Sequence, residues 1–257
     1  MKAWLEASLA RMPLSEEAEG YLLGRGMREE RISEIGVALW NSLRVTSDPP
    51  DSAFAKTLGH RGVYVAGNLV FPLRAPHGDL IGVEFRAWRG EKKMRQYLLE
   101  ESAWTPMFAG MTSSRMRRIW EGGDVWIVEG IFDAAALEHI VPSTDAVLGT
   151  LRARVSKAHA EFLSRFCRGT VHMVYDQDET GRNMTFGYTD ATTKKRVWGA
   201  LDSLRRVGVR CRDVPYTGGK DPGEIWDAGG IPSLKHAFHG SITCPQHPTR
   251  LNQKSMI

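Results

Sequence analysis

Five carboxylates stand out by where they fall. Glu129 directly follows the apolar run VWIV (125–128), and Asp176, with Asp178 two residues on, directly follows VHMVY (171–175). Asp133 comes one helical turn after Glu129, and Asp221 sits in GGKDPGE (218–224), beyond another apolar stretch. Short apolar runs of this kind fit buried strands, and open parallel sheets bind ligands at the carboxyl ends of their strands. Acids from several strand ends then converge on one crevice, where they repel one another. Hard divalent cations, Mg²⁺ or Mn²⁺, offset that repulsion and prefer oxygen ligands. Two such ions can stabilise both the attacking and the leaving oxygen of a phosphoryl transfer. Taken singly, each acid reads as a helix N-cap or a turn residue, and D-x-D alone is weak because Asx turns are common. The joint pattern, E-G-x-x-D, D-x-D-x-x-G and K-D-P with each part at a strand end, is what points to metal-assisted chemistry on phosphates.

These acids need a scaffold of alternating strands and helices, and the patterning from Asp124 onward supplies one. VWIV and DAVLG (145–149) read as short strands, FDAAALEHIV (132–141) has helical spacing, and VHMVY is a third strand. Helices are expected over about 155–166 and 193–207, and a strand around Val209–Val214. That alternation predicts an α/β unit with a mainly parallel sheet. Upstream, residues 1 to about 46 read as helical, with Ser15 as an N-cap followed by acids and with Gly24 and Gly26 ending the helix. SDPPDS (47–52) reads as a linker. The period then shifts toward two, and APHGD (75–79) lies between apolar runs as a hairpin turn. The stretch after Asp227 is rich in Gly, Pro and His, and its last ten or so residues read as disordered.

Composition narrows the function classes. The chain has 257 residues, with 42% hydrophobic and 25% charged residues, ordinary values for a globular protein. There are 34 Lys and Arg against 30 Asp and Glu, a mild excess of +4 that falls short of a polybasic protein. Cys167, Cys211 and Cys244 stand far apart, which excludes a zinc ribbon built on C-x-x-C pairs and argues for a reducing, cytoplasmic setting. No apolar run reaches the roughly 18 residues of a membrane span, and no signal peptide is legible.

EGIFDAAAL (129–137), LGT (148–150), DQDETGR (176–182) and GGKDPGE (218–224) together resemble the motifs of a TOPRIM domain. NLVFPLRAPHGDLIGVEFRAW (68–88), QYLLEESAWTPMF (96–108) and YLLGRGM (21–27) resemble the segment preceding that domain in DnaG-type DNA primases. The resemblance implies an α/β fold in which an α+β amino-terminal primase subdomain precedes a TOPRIM domain, a mainly parallel sheet flanked by helices. The implied boundaries are a helical segment over 1–60, the template-binding subdomain over 61–123, the catalytic domain over 124–228 and a short tail over 229–257. It also implies that Glu129, Asp176 and Asp178 bind the catalytic metals, Mg²⁺ or Mn²⁺ at a two-metal site, with Asp133 and Asp221 as accessory acids. Glu129 is placed either to bind metal or to accept the attacking hydroxyl's proton. Zinc is not expected, because the amino-terminal zinc-binding module of relatives has no counterpart here and the eight histidines show no ligand spacing.

The implied activity is synthesis of short RNA primers from NTPs on a single-stranded DNA template, giving an RNA–DNA hybrid, in a minimal form of the kind a phage or mobile element encodes. A cationic groove is then needed. Arg86 matches the arginine of the family's IGFGGR segment. Lys92, Lys93 and Arg95 lie close by, Arg152 and Lys220 are placed to meet nucleotide, and RMRR (115–118) is a further basic cluster. Charge runs also occur as merely solvated faces. A replicative helicase or a separate zinc-binding module is an expected partner. Three departures from the family stand out: Gly223 where an acid is usual, Gln96 where a lysine is usual, and Asn68 in place of an arginine. A TOPRIM nuclease acting on phosphodiesters and a non-catalytic single-stranded DNA-binding adaptor are the competing functions.

Overall fold

The structure is a computed structural model that describes residues 1–45, 47–50, 56, 58–90, 94–99, 108–151 and 154–242. Two four-stranded sheets organise them. The first is antiparallel, in the order β1 (Ala38–Leu39), β2 (Leu69–Arg74), β3 (Leu80–Arg86) and β4 (Met94–Leu98). The hairpin at APHGD is as expected: Ala75 N–H donates to the Asp79 carbonyl at 2.8 Å, and Gly78, at φ +97°, turns the chain. Helices α1 (Lys2–Leu9), α2 (Glu16–Gly24) and α3 (Glu29–Ile35) precede β2, so the helical expectation is met as far as Ile35; beyond it the described chain to Val45 is β1, a single 3-10 turn over Ser42–Arg44 and irregular backbone. That strand is two residues long and carries no period of its own.

The second sheet is parallel throughout, in the order β10 (Cys211–Asp213), β7 (Val171–Met173), β5 (Val125–Val128) and β6 (Ala146–Gly149). Every residue of β5, β6 and β7 is buried, which is why β5 and β6 read as unbroken apolar runs rather than alternating ones; the one polar residue, His172 of β7, is held by Asp124 and Arg212. Helices α4 (Ser113–Trp120), α5 (Ile131–Leu137), α6 (Lys157–Phe166), α7 (Glu179–Phe186), α8 (Ala200–Arg206) and α9 (Pro222–Ala237) are interleaved with the strands. The helix expected over 193–207 is shorter: residues 188–189 and 196–197 form a hairpin, β8 and β9, and α8 starts only at Ala200. Asp190 explains the difference, since it ties the backbone N–H groups of Thr192 and Thr193 into a turn that competes with a helix. After Asp227 the chain continues as α9 through Ala237, across a kink at Gly229 and Gly230. The disorder expected for the last ten or so residues lies outside the described residues.

Helix α5 joins the two halves and sets the position of the acids. Its Ile131, Phe132 and Ala135 share a core with Leu22, Ile32, Phe71 and Leu73 from the amino-terminal half. Its other side, Ala134 and Leu137, packs with Val128, Val174 and Ile225. At roughly 25 cal/mol per Å² of apolar surface, a helix buried on both sides is held far more firmly than its seven-residue length would allow alone. A second tie runs from α2 to α9. The Trp226 indole donates to the Gly24 carbonyl at 2.8 Å and stacks on His139 at 4.5 Å. Gly26, at φ +84°, has no room for a side chain, since a Cβ there would lie 3.0 Å from the Trp226 ring.

Candidate active site

The loops at the carboxyl ends of β5 and β7 bring the acids together. The Glu129 carboxylate accepts the backbone N–H of Asp176 at 3.4 Å, joining the two strand ends directly. Asp133 accepts from Gly130 N–H at 3.0 Å through one oxygen and from Gly223 N–H at 3.2 Å through the other, so it bridges the start of α5 to the loop before α9. Asp178 caps α7 by accepting from Gly181 N–H at 2.8 Å, and Asp221 caps α9 by accepting from Glu224 N–H at 2.7 Å. The N-cap role and the site role coincide, because capping with one oxygen orients the carboxylate and leaves the other oxygen for a ligand. Gly181 must be glycine, since a Cβ there would collide with the Asp176 carbonyl.

The electrostatics show charge held under tension. Burial, then the neighbouring Asp176, Asp133 and Asp178, push the Glu129 carboxyl up to about 7. Asp133 is raised by burial and by Asp221 and Asp176. Asp176 is raised by burial against the opposing pull of Lys220, whereas the Gly181 N–H and Lys220 hold Asp178 below the usual range. The Lys220 ammonium lies 3.0 Å from Asp176 Oδ2 and 3.1 Å from Asp178 Oδ2. Its backbone is fixed by Gln177 N–H and the Tyr216 hydroxyl, both on its carbonyl, at 2.9 and 2.8 Å. A cation is therefore already accommodated between two of the acids, and all the available ligands are hard oxygens, which fits Mg²⁺ or Mn²⁺. Among the described residues no three His, Cys, Asp or Glu side chains close around one point. Mg²⁺ does not require such a cage, since it keeps several waters and uses one or two carboxylates together with substrate phosphates.

A pH dependence follows. The folded protein holds the Glu129 proton more tightly than the unfolded chain, whose carboxyl titrates near 4.5. Its contribution to the metal-free protein's stability is therefore largest below pH 4.5 and falls as the pH climbs to about 7. A cation binding at pH 6 must expel a proton. Titrations with Mn²⁺ in buffers of different ionisation enthalpy should show proton release at pH 6 and almost none at pH 8, with affinity rising between them. Identical affinity at both values would contradict this.

Gly223 lies against the same corner. A Cβ there would be 3.0 Å from Asp133 Oδ1, 3.2 Å from Asp221 Oδ1 and 3.3 Å from Arg25 Nη2. Gly223→Asp would add a carboxylate beside two others. We expect the melting temperature in EDTA to fall by about 3–6 °C, roughly 1–2 kcal/mol, and to be restored by millimolar Mn²⁺. An unchanged melting temperature in EDTA would contradict it.

The basic candidates are placed unevenly. Arg86 is largely buried, its Nη2 2.9 Å from Glu84 Oε1 and its guanidinium 5.0 Å above the Phe132 ring. Gln96 donates to the other Glu84 oxygen at 3.0 Å, so where the family has a lysine this chain has a residue paired with Arg86's own partner. Lys92, Lys93 and Arg152 lie outside the described residues; for Arg95 only the backbone, in β4, is described. Arg115 of the RMRR cluster is 1% exposed and paired with Glu138, which removes it from any template surface. Arg25 is a rim residue that the charge pattern did not single out. It pairs with Asp227, lies 4.9 Å over Phe132 and faces Gly223. The Arg25–Gly26 turn closing α2 was its only signal.

Residues 126–225 match the model of a Toprim-like family. A DNA primase of Deinococcus radiodurans is 26% identical over 251 residues, which cover 90% of this chain and 41% of the relative, so the chain spans less than half of that protein. The primase of Aquifex aeolicus, solved with its zinc-binding and RNA polymerase domains, superposes with a TM-score of 0.63 at 20% identity, covering 93% of this chain and 60% of that one. A DnaG primase catalytic domain bound to single-stranded DNA gives 0.59 at 16% identity, covering 92% and 79%. Residues 126–225 are thus a Toprim-like domain, and the chain resembles the DnaG-type DNA primases, having the fold of their catalytic core.

Proposed function

We propose that the chain is the catalytic core of a DNA primase, joining ribonucleoside triphosphates on single-stranded DNA into short RNA primers. One observation carries this: the Glu129 carboxylate accepts the Asp176 backbone N–H across neighbouring strand ends, within the electrostatic reach of Asp133 and Asp178, in a Toprim-like domain. The DNA-bound catalytic domain of similar fold supports the choice of template. Bound divalent cations, Mg²⁺ or Mn²⁺, would polarise the α-phosphate and lower the pKa of the attacking 3′-hydroxyl. Glu129, Asp176 and Asp178 hold them, and Asp133 and Asp221 set the field around them. Where it does not ligate a cation, Glu129 is instead the group that accepts the hydroxyl proton. Lys220 meets the triphosphate, as does Arg152, while Arg86, Lys92, Lys93 and Arg95 contact the template strand.

The division into template-binding and catalytic domains at residue 123/124, a cytoplasmic setting, a phage or mobile-element origin, and a helicase or zinc-module partner belong to the same proposal. Gly223, which offers no carboxylate, is the one observation favouring a non-catalytic adaptor instead. Incubating the protein with labelled NTPs, single-stranded DNA and Mn²⁺ separates the readings. Short oligoribonucleotides are expected; shortened DNA would indicate a nuclease, and neither product, with partner proteins added, an adaptor.

A further inference from the structure

A cavity of about 580 Å³ opens at the other end of the parallel sheet, and Arg117, Arg118, Asp124, Trp126, Asp145 and Arg212 are among its walls. Along β5 the run from Asp124 to Glu129 spans about 16 Å at roughly 3.3 Å per residue, so this cavity is separate from the carboxylate site. None of the five acids of that site is among its described lining residues.

The acceptors in its floor are engaged. Asp145 Oδ1 accepts Asp124 N–H and the Thr144 hydroxyl, each at 3.2 Å, and Oδ2 accepts the Trp126 indole at 2.9 Å. Asp124 Oδ1 accepts Thr170 N–H at 2.7 Å. Arg212 Nε–H donates to His172 Nδ1 at 2.8 Å, which places the ring hydrogen on Nε2, donating to Asp124 Oδ2 at 2.8 Å. The donors are in surplus. A guanidinium has five N–H groups, and Arg118 directs one nitrogen at the Asp145 carbonyl, at 3.1 Å. Among the described residues Arg212 Nη1 makes no hydrogen bond, and the exposed Arg117 side chain makes no hydrogen bond or ion pair. Glu121, the remaining lining carboxylate, is exposed at the rim.

A ligand here must bring acceptors and negative charge. The volume exceeds that of a lone phosphate and lies within the ~300–1,000 Å³ of small-molecule sites, and Trp126, Pro142 and Ile242 give part of the wall an apolar character. We propose that this cavity binds an organic phosphate of nucleotide size, a nucleoside mono- or diphosphate, with the phosphate against Arg117 and Arg118. Arginine forks suit phosphate geometry.

The test is calorimetric titration of the full chain with ADP in EDTA, which silences metal-assisted binding at the carboxylates. Binding should be measurable at a Kd on the order of 100 µM. It should stay within about twofold in Asp176→Asn and weaken at least about tenfold in Arg117→Glu/Arg118→Gln. Arg117→Glu alone changes an exposed side chain with no partner among the described residues; it should keep the wild-type melting temperature and weaken binding at least about threefold. No binding up to about 2 mM, or loss in Asp176→Asn with both arginine variants unaffected, would overturn the proposal. So would inorganic phosphate or adenosine binding as tightly as ADP, since either would reduce the site to an anion hole or an apolar cleft. Failure here leaves the carboxylate site and its function untouched.

Discussion

Asp176→Asn should lower primer synthesis at least about 10³-fold, some 4 kcal/mol of transition-state stabilisation, without loss of the fold. Among the described residues the Asp176 side chain makes no bond beyond its contact with Lys220, which keeps Asp178 as a partner at 3.1 Å. The backbone N–H that holds Glu129 is unaffected by the change. Removing one charge relieves Glu129 and Asp133, both raised in part by Asp176, so the melting temperature in EDTA should hold or rise. Primer-extension gels and thermal scans on the same preparation check both halves. Lost activity with a lowered melting temperature would mark Asp176 as structural.

The largest stability effect is expected far from the acids. Glu138, at the end of α5, sits between two buried arginines: Arg115 Nη2 at 2.7 Å and Arg31 Nε at 3.3 Å. Arg31 also reaches Ser114 Oγ at 3.0 Å and pairs with Glu34, while Arg115 donates to the Gly110 carbonyl. One carboxylate thus ties α3, α4 and α5 together. Arg115 is 1% exposed, and burial lowers its pKa against the pull of Glu138, so removing that acid strands a charge in the interior. Glu138→Ala should cost about 3–5 kcal/mol, a fall of roughly 10 °C in melting temperature. Glu138→Leu/Arg115→Leu should recover most of it, because it removes the charge that would be stranded at Arg115 while Arg31 keeps Glu34 as a partner. A double variant no better than the single one would show that packing dominates.

The acids were legible because chemistry and position coincide: Glu129 and Asp176 each end a mainly apolar run, and Asp178 follows two residues after Asp176. The hairpin over 69–86 was equally clear, since APHGD interrupts a period of two. Elements that depend on distant partners were not. β1 exists only because Leu39 and Ala38 pair with Leu69 and Val70, and the β8–β9 hairpin rests on Asp190 overriding a helical pattern. The Arg31–Glu138–Arg115 network joins residues far apart in the chain, and Arg115 there read as one more surface charge in RMRR. Arg25 reaches the site through tertiary contacts: the core that holds Leu22, the Trp226 indole on the Gly24 carbonyl, and its own pairing with Asp227. Charge identity is local information, whereas burial and pairing are decided by the fold.

The central claim is that folding gathers these carboxylates into a site for divalent cations. Free Mn²⁺ measured by electron paramagnetic resonance during titration of wild type, Glu129→Gln and Asp176→Asn tests it most directly. The account predicts saturable, sub-millimolar binding by the wild type that each variant weakens at least about tenfold. Equal binding by all three proteins would contradict it.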